Sequence, residues 1–260
     1  MAAALLMMNM HGAVCASDRD RTIFRYSDKI PFAIMVDPTS ELQWEDIIMD
    51  YQTKKSISNE MKFKDCAEDF RLYLENLLKQ KDIETQKKES NKKYVCVGHE
   101  TDCIFPRAAI ITTRMKENDI EANKAPIEIG QYQPVYLQYL GNCENIRILL
   151  GGMSDDITQK TIDLFFNKLC GLVGKKDAAR LIPDFKNYVL EKFEEMQEDD
   201  KVMDAISFFT IKDMVSMVEN LIETEGLLES SDSNISTTRE IGIVTLAEGF
   251  VYIKHCLYGA

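Results

Sequence analysis

The sequence predicts an α+β fold, a four-layer α-β-β-α sandwich built mainly from antiparallel strands. Three observations carry this reading. Short, nearly continuous apolar runs at the amino terminus are split by a His-Gly turn, helical spacing takes over near residue 40, and a helical block at 156–225 precedes a last pair of strands. At 260 residues and 45% hydrophobic content the chain can bury a core without disulfides or metal. It shows no internal repeat and no linker, so residues 1–260 are expected to form one domain.

The first element is a β-hairpin. Residues 3–8 are apolar, His11-Gly12 supplies the turn, and Ala13-Val14-Cys15-Ala16 resumes the run. Apolarity without alternation implies that both faces are covered. A strand at 32–36 is entered by Pro31 and ended by Asp37-Pro38. Leu42, Trp44, Ile47, Ile48 and Tyr51 then form a helical stripe, with Thr39 or Ser40 placed to cap it. A second helix at 63–78 aligns Phe70, Tyr73, Leu74 and Leu77. The lysine-rich segment 79–93 reads as a helix end followed by a solvated loop. Strands follow at 94–98, 108–114, 135–139 and 147–150. Helices are expected at 156–169, 175–181, 184–196 and 202–223, and a serine-rich loop at 230–238. The chain closes with a hairpin of 241–246 and 250–255 around Ala247-Glu248-Gly249.

Composition narrows the function. A formal net charge of −12 disfavours nucleic acid and anionic membrane surfaces, both of which reward lysine and arginine. The seven cysteines are scattered and never spaced CxxC, which fits free thiols in a reducing compartment. The three histidines lie far from any zinc-ligand spacing, so no metal or other cofactor is expected. The apolar amino terminus lacks a basic flank and stops at Asn9, too short to cross a bilayer. A cytoplasmic location is the expectation.

Three groups of residues carry a family resemblance. AAALLMMNMHGAVCASDRD (2–20) places a hairpin with a His-Gly turn at the start and closes on Ala16-Ser17-Asp18-Arg19. PFAIMVDPTSELQWEDIIMDY (31–51) is a strand and a Trp-Glu-bearing helix. YVCVGHETDCIFP near residue 100 and REIGIVTLAEGFVYIKH near the end are further strand segments. In this order they resemble the proteasome-type N-terminal nucleophile hydrolases, and are similar to bacterial proteasome-like proteins. The resemblance implies a catalytic threonine, serine or cysteine at the start of the mature chain. Its own α-amino group would be the base, with a lysine nearby and backbone donors for the oxyanion.

Measured against that pattern, the nucleophile position falls on Ala2, which has no hydroxyl or thiol, and Ala3 and Ala4 offer none either. The lysine position falls near Thr22-Ile23, between Arg21 and Arg25, and Lys29 comes about six residues too late by this count. A glycine pair is replaced by Val36-Asp37-Pro38. Asp18 matches the family position and would orient a charged group there. Read locally, it is a strand-end residue bonding to backbone or pairing with Arg19 or Arg21. Ser154, in Gly151-Gly152-Met153-Ser154-Asp155-Asp156, matches a loop near the family's active site, although serine and aspartate at a helix start are first of all a cap. No lysine follows these glycines, which excludes a phosphate loop.

The resulting expectation is a proteasome-β-like subunit that has lost peptidase activity and serves as a structural, assembly or binding protein. It would self-associate as a homo-oligomer and hold a peptide or protein ligand. One alternative is an active peptidase or amidohydrolase whose nucleophile lies elsewhere or has been replaced. Another is an enzyme of unrelated fold that uses a His99–Cys103 pair.

Overall fold

The computed structural model describes residues 2–26, 31–54, 62–100, 103, 105–116, 119–123, 125–129, 135–143, 146, 166–167, 170–171, 174–178, 201–229 and 238–255. The expected strand at 147–150, the helix at 184–196, all of that at 156–169 but residues 166–167, the last three residues of that at 175–181, Ser154, and the loop at 230–237 lie outside the described residues. The chain divides into two compact units, Met1–Cys143 with Ile206–Ala260, and Glu144–Ala205. In the second unit, residues 175–178 are helical, entered through Gly174 at φ +85°, and Ala178 is fully buried.

The first unit mixes helices with two antiparallel sheets. In chain order it contains β1 (Ala3–Asn9), β2 (Gly12–Ser17), β3 (Ile23–Arg25), β4 (Phe32–Met35), α1 (Trp44–Lys54), α2 (Phe63–Lys79) and α3 (Ile83–Lys88). It continues through β5 (Lys93–Gly98), β6 (Arg107–Lys116), β7 (Asp119–Ala122), β8 (Ile127–Ile129) and β9 (Tyr136–Gly141). The remaining elements are α4 (Lys201–Ser207), which begins in the second unit, α5 (Ile211–Glu229), β10 (Glu240–Thr245) and β11 (Gly249–His255).

One sheet runs β11-β10-β2-β1-β9, and the other β3-β4-β5-β6-β7 with β8 also paired to β6. The opening hairpin forms as expected, with Leu6 opposite Cys15 and Asn9 opposite Gly12, and it occupies the middle of its sheet. Period-two alternation divides the second sheet between two cores. Ala33, Met35, Val95 and Val97 face inward onto Leu6, Met8 and Cys15 of the first sheet. Phe32, Ile34, Tyr94 and Cys96 face outward onto Ile48, Phe70 and Leu74 of α1 and α2. Helix α5 packs on β1 and β2. Each large apolar side chain buried this way contributes about 1.5–3 kcal/mol.

Along one side of the unit the two sheets are tied by side chains. The Glu240 carboxylate, fully buried at the start of β10, accepts from the backbone N–H groups of Arg21, Thr22 and Ile23 at 2.8, 2.8 and 3.0 Å, and from the Thr22 hydroxyl at 3.0 Å. Tyr252 of β11 donates its hydroxyl to the Ile23 carbonyl, and Arg25 donates to the Phe250 carbonyl at 2.7 Å. These bonds satisfy backbone groups that edge strands would otherwise leave open.

Several sequence expectations need correction. The segment 79–93 is not a solvated loop. Asp82 accepts from Thr85 N at 2.9 Å to cap α3, and Gln86 and Glu89 are buried. Helix α1 starts at Trp44, so Thr39 and Ser40 come too early to cap it. The single helix expected at 202–223 is two, because Thr210 and Asp213 form a reciprocal cap (2.9 and 3.3 Å) that restarts the chain as α5. Strands β7 and β8, for which the sequence predicts no element, pair with β6.

Replacing Glu240 by glutamine is expected to lower stability by about 2 kcal/mol, because an amide cannot accept at both oxygens and hydrogen bonds to charged groups contribute about 1.5–3 kcal/mol. Urea unfolding measures this as a lower midpoint at constant slope. An unchanged midpoint would refute the role given to the carboxylate.

Candidate functional site

Polar chemistry gathers where β1 begins and β2 ends. All thirteen residues of these two strands are buried, which leaves only the strand ends for groups that need water. At this end Ser17 Oγ lies 3.4 Å from the Ala3 carbonyl, and Asp18 accepts from Ala3 N at 2.9 Å. The Asp18 N–H returns a bond to the Ala3 carbonyl at 3.1 Å. Asp18 therefore binds local backbone and fixes the course of the chain at Ala2.

Ala2 and Asp18 open onto a cleft of about 500 Å³ that they share with Arg19, Thr39, Glu41 and Arg239. A second cavity, of about 540 Å³, has Arg19, Glu41 and Arg239 in common with it and adds Asp20, Arg21 and Trp44. The structure thus brings Ala2 and Asp18 together, and Arg21 lines the adjoining cavity. There Arg21 pairs with Glu45 at 2.9 Å, both half exposed. Thr22, at the position where the resemblance implies a lysine, is buried against Glu240.

Thr39 and Glu41 bring to the same cleft a loop that the sequence did not reveal as part of a site. Asp37 accepts from Thr39 N at 3.0 Å and from the Thr39 hydroxyl, while Lys92 donates to the Thr39 hydroxyl and to its carbonyl. Lys92 acts here as a donor, the reverse of what a general base must do, so this group fixes the loop and does not activate Thr39. One step deeper, Ser40 donates to the buried Glu89 carboxylate at 2.8 Å and accepts from Trp44 Nε1 at 2.7 Å. Glu89 also accepts from Glu41 N at 3.1 Å and from the Tyr94 hydroxyl at 2.9 Å. The Lys88 ammonium holds the exposed Glu41 carboxyl below its ordinary value. The sequence signal for this network was the D-x-T turn at Asp37; Glu89, within a lysine-rich run, gave none.

Gly141 explains how closely the chain packs at Ala2. At φ +70°, a side chain there would place its Cβ 2.3 Å from the Ala2 carbonyl oxygen and 2.6 Å from Pro38.

His99 and Cys103 do not form a nucleophilic pair. His99 Nδ1 lies 3.2 Å from the Glu100 carbonyl, whereas the Cys103 thiol faces Glu100 Oε2 at 3.5 Å and the Arg107 guanidinium at 2.9 Å. Burial first, and then the Glu100 carboxylate, raise the thiol above its ordinary pKa, where a nucleophile needs it lowered. Among the described residues no group of three or more histidines, cysteines or carboxylates could hold a metal ion. No helix among them is long and apolar enough to cross a membrane.

No protein-family model matches the chain, and no curated protein matches it. The site must therefore be read from its own chemistry. In the cleft that holds Ala2 and Asp18, Ala2 contributes a methyl group, and the Thr39 hydroxyl is engaged by Asp37 and Lys92.

Gly141→Ala is expected to destabilise the chain by more than about 1 kcal/mol, from the positive φ and the clash with Ala2. A thermal melt equal to that of the parent chain would show that Ala2 is not held there. Cys103 is expected to alkylate more slowly at pH 8 than an unperturbed thiol of pKa about 8.5, and to speed up as pH rises. Glu100→Gln should accelerate the reaction, as followed by mass spectrometry of the peptide carrying Cys103.

Proposed function

We propose that this chain is a proteasome-β-like subunit without peptidase activity, acting as a structural, assembly or binding protein. The observation that carries the reading is the pairing of Ala2 with Asp18 in one cleft, at the start of a hairpin central to its sheet. That is where the family resemblance seen in the sequence puts its nucleophile, and a methyl group cannot attack an amide. Helices α1 and α2 on one sheet, an apolar layer between the sheets and α5 on the other sheet support an α-β-β-α order for the first unit. The lysine position supports the loss of chemistry as well, since Thr22 there is committed to Glu240.

Without hydrolysis the cleft remains a place to bind, and proteasome-type subunits assemble through their outer faces. A homo-oligomer holding a peptide or protein ligand is the form this reading implies. Fluorogenic peptides incubated with the purified chain should show no turnover above buffer, and multi-angle light scattering at micromolar concentration should give a mass above the 29.8 kDa monomer. Sustained peptide turnover that disappears on Asp18→Asn would overturn the loss of activity. A strictly monomeric mass would overturn the assembly role.

A further inference from the structure

The two cavities meet at Arg19, Glu41 and Arg239, and Arg21 lines the larger one together with Asp20, Asp37 and Glu45, so three of the chain's nine arginines converge on one place among carboxylates. Arg19 is exposed and donates to the Pro38 carbonyl, a neutral group. Among the described residues it pairs with no carboxylate. Arg239 is half exposed and holds Asp20 Oδ2 at 3.1 Å. A guanidinium carries five N–H donors in a planar fork that matches a carboxylate or phosphate, so one bond each leaves both with donors to spare.

Asp20 supplies a second, independent observation. Its side chain is 10% exposed and lines the larger cavity, yet Oδ1 is buried without a hydrogen-bond partner among the described residues. A buried acceptor left unanswered is costly, since it has given up its bond to water. The terminal torsion of an aspartate is soft, so rotation about it can present Oδ1, which is closed to solvent here, to a ligand. Once turned, it gives the wall an acceptor beside the arginine donors.

From this juxtaposition we infer that the joined cavities bind a small oxyanion that carries a hydrogen-bond donor of its own. Arg19 and Arg239 take the oxyanion, and Asp20 Oδ1 accepts from the ligand's O–H or N–H. Two sources share this chemistry: a phosphate bearing an O–H, and an amino carboxylate. The inference rests on the side chains of the cavity alone and holds whether or not the chain is proteasome-like.

Equilibrium dialysis at constant ionic strength tests it with two matched pairs, labelled inorganic phosphate against sulfate and glycine against acetate. In at least one pair the donor-bearing member should bind at a single saturable site, at least tenfold tighter than its donor-less counterpart, and the pair that responds identifies the source. Trp44, the only tryptophan of the chain, lines the larger cavity and should report the same midpoint by fluorescence. Arg19→Gln and Arg239→Gln should each weaken binding at least tenfold, Arg19→Gln with an unchanged melting temperature because its one bond goes to the Pro38 carbonyl. Asp20→Asn should abolish the preference for the donor-bearing member. Absence of saturable binding of both phosphate and glycine, equal binding of the two members of each pair, or full binding by both arginine variants would each overturn the inference.

Discussion

A hairpin buried on both faces has nowhere along its length to place a charge. Every residue of β1 and β2 is buried, between α5 on one side and the second sheet on the other. Polar groups are thereby forced to its two ends. At the turn, Asn9 is fully buried and completely used: it donates to the carbonyls of Ile206 and Phe209 at 3.0 and 2.7 Å and accepts from His11 N at 2.9 Å. At the open end Ser17 and Asp18 bond back to Ala3, and the cleft begins. The location of the site follows from this burial: at the turn the polar side chain of Asn9 is already committed, and at the open end Asp18 and Arg19 meet the Thr39 loop.

The same constraint explains the tie between the sheets. Backbone groups at 21–23 would lose their water beside an apolar interior, and a single carboxylate from β10 answers three of them. The cost of burying Glu240 is offset by donors that converge on it, the arrangement a buried charge requires. Arg25 and Tyr252 continue the tie along the edge. Arg21, held at φ 63° within this turn, thereby comes to line the cavity beside Arg19.

Much of the fold was legible in the sequence because apolar periodicity survives from sequence to packing. The unbroken runs of β1 and of Phe32 to Met35 and the stripe through Phe70 and Leu74 told which faces would be covered. What escaped were elements held by polar bonds. Helix α3 has no apolar stripe and depends on Asp82 and on the burial of Gln86, so its lysines disguised it. The break at Thr210 was written in a T-x-x-D box but concealed by the continuous helical spacing around it. At the site, Ala2 and Asp18 could be named from the hairpin, whereas Thr39, Lys92 and Arg239 could not, since they come from distant segments.

By itself the sequence determined the alternation of elements, the buried opening hairpin and the absence of a hydroxyl at Ala2, because these depend on residue type and local spacing. Only the tertiary structure decided which side chains meet at the cleft. Arg19, Thr39, Glu41 and Arg239 are separated by up to 220 residues and share no pattern. Their juxtaposition arises from the pairing of β10 with β2, which sets Arg239 N 2.8 Å from the Ser17 carbonyl and brings the two ends of the chain to one site. Strand pairing between remote segments depends on a hydrogen-bonding backbone that every residue carries alike, so local spacing cannot announce it.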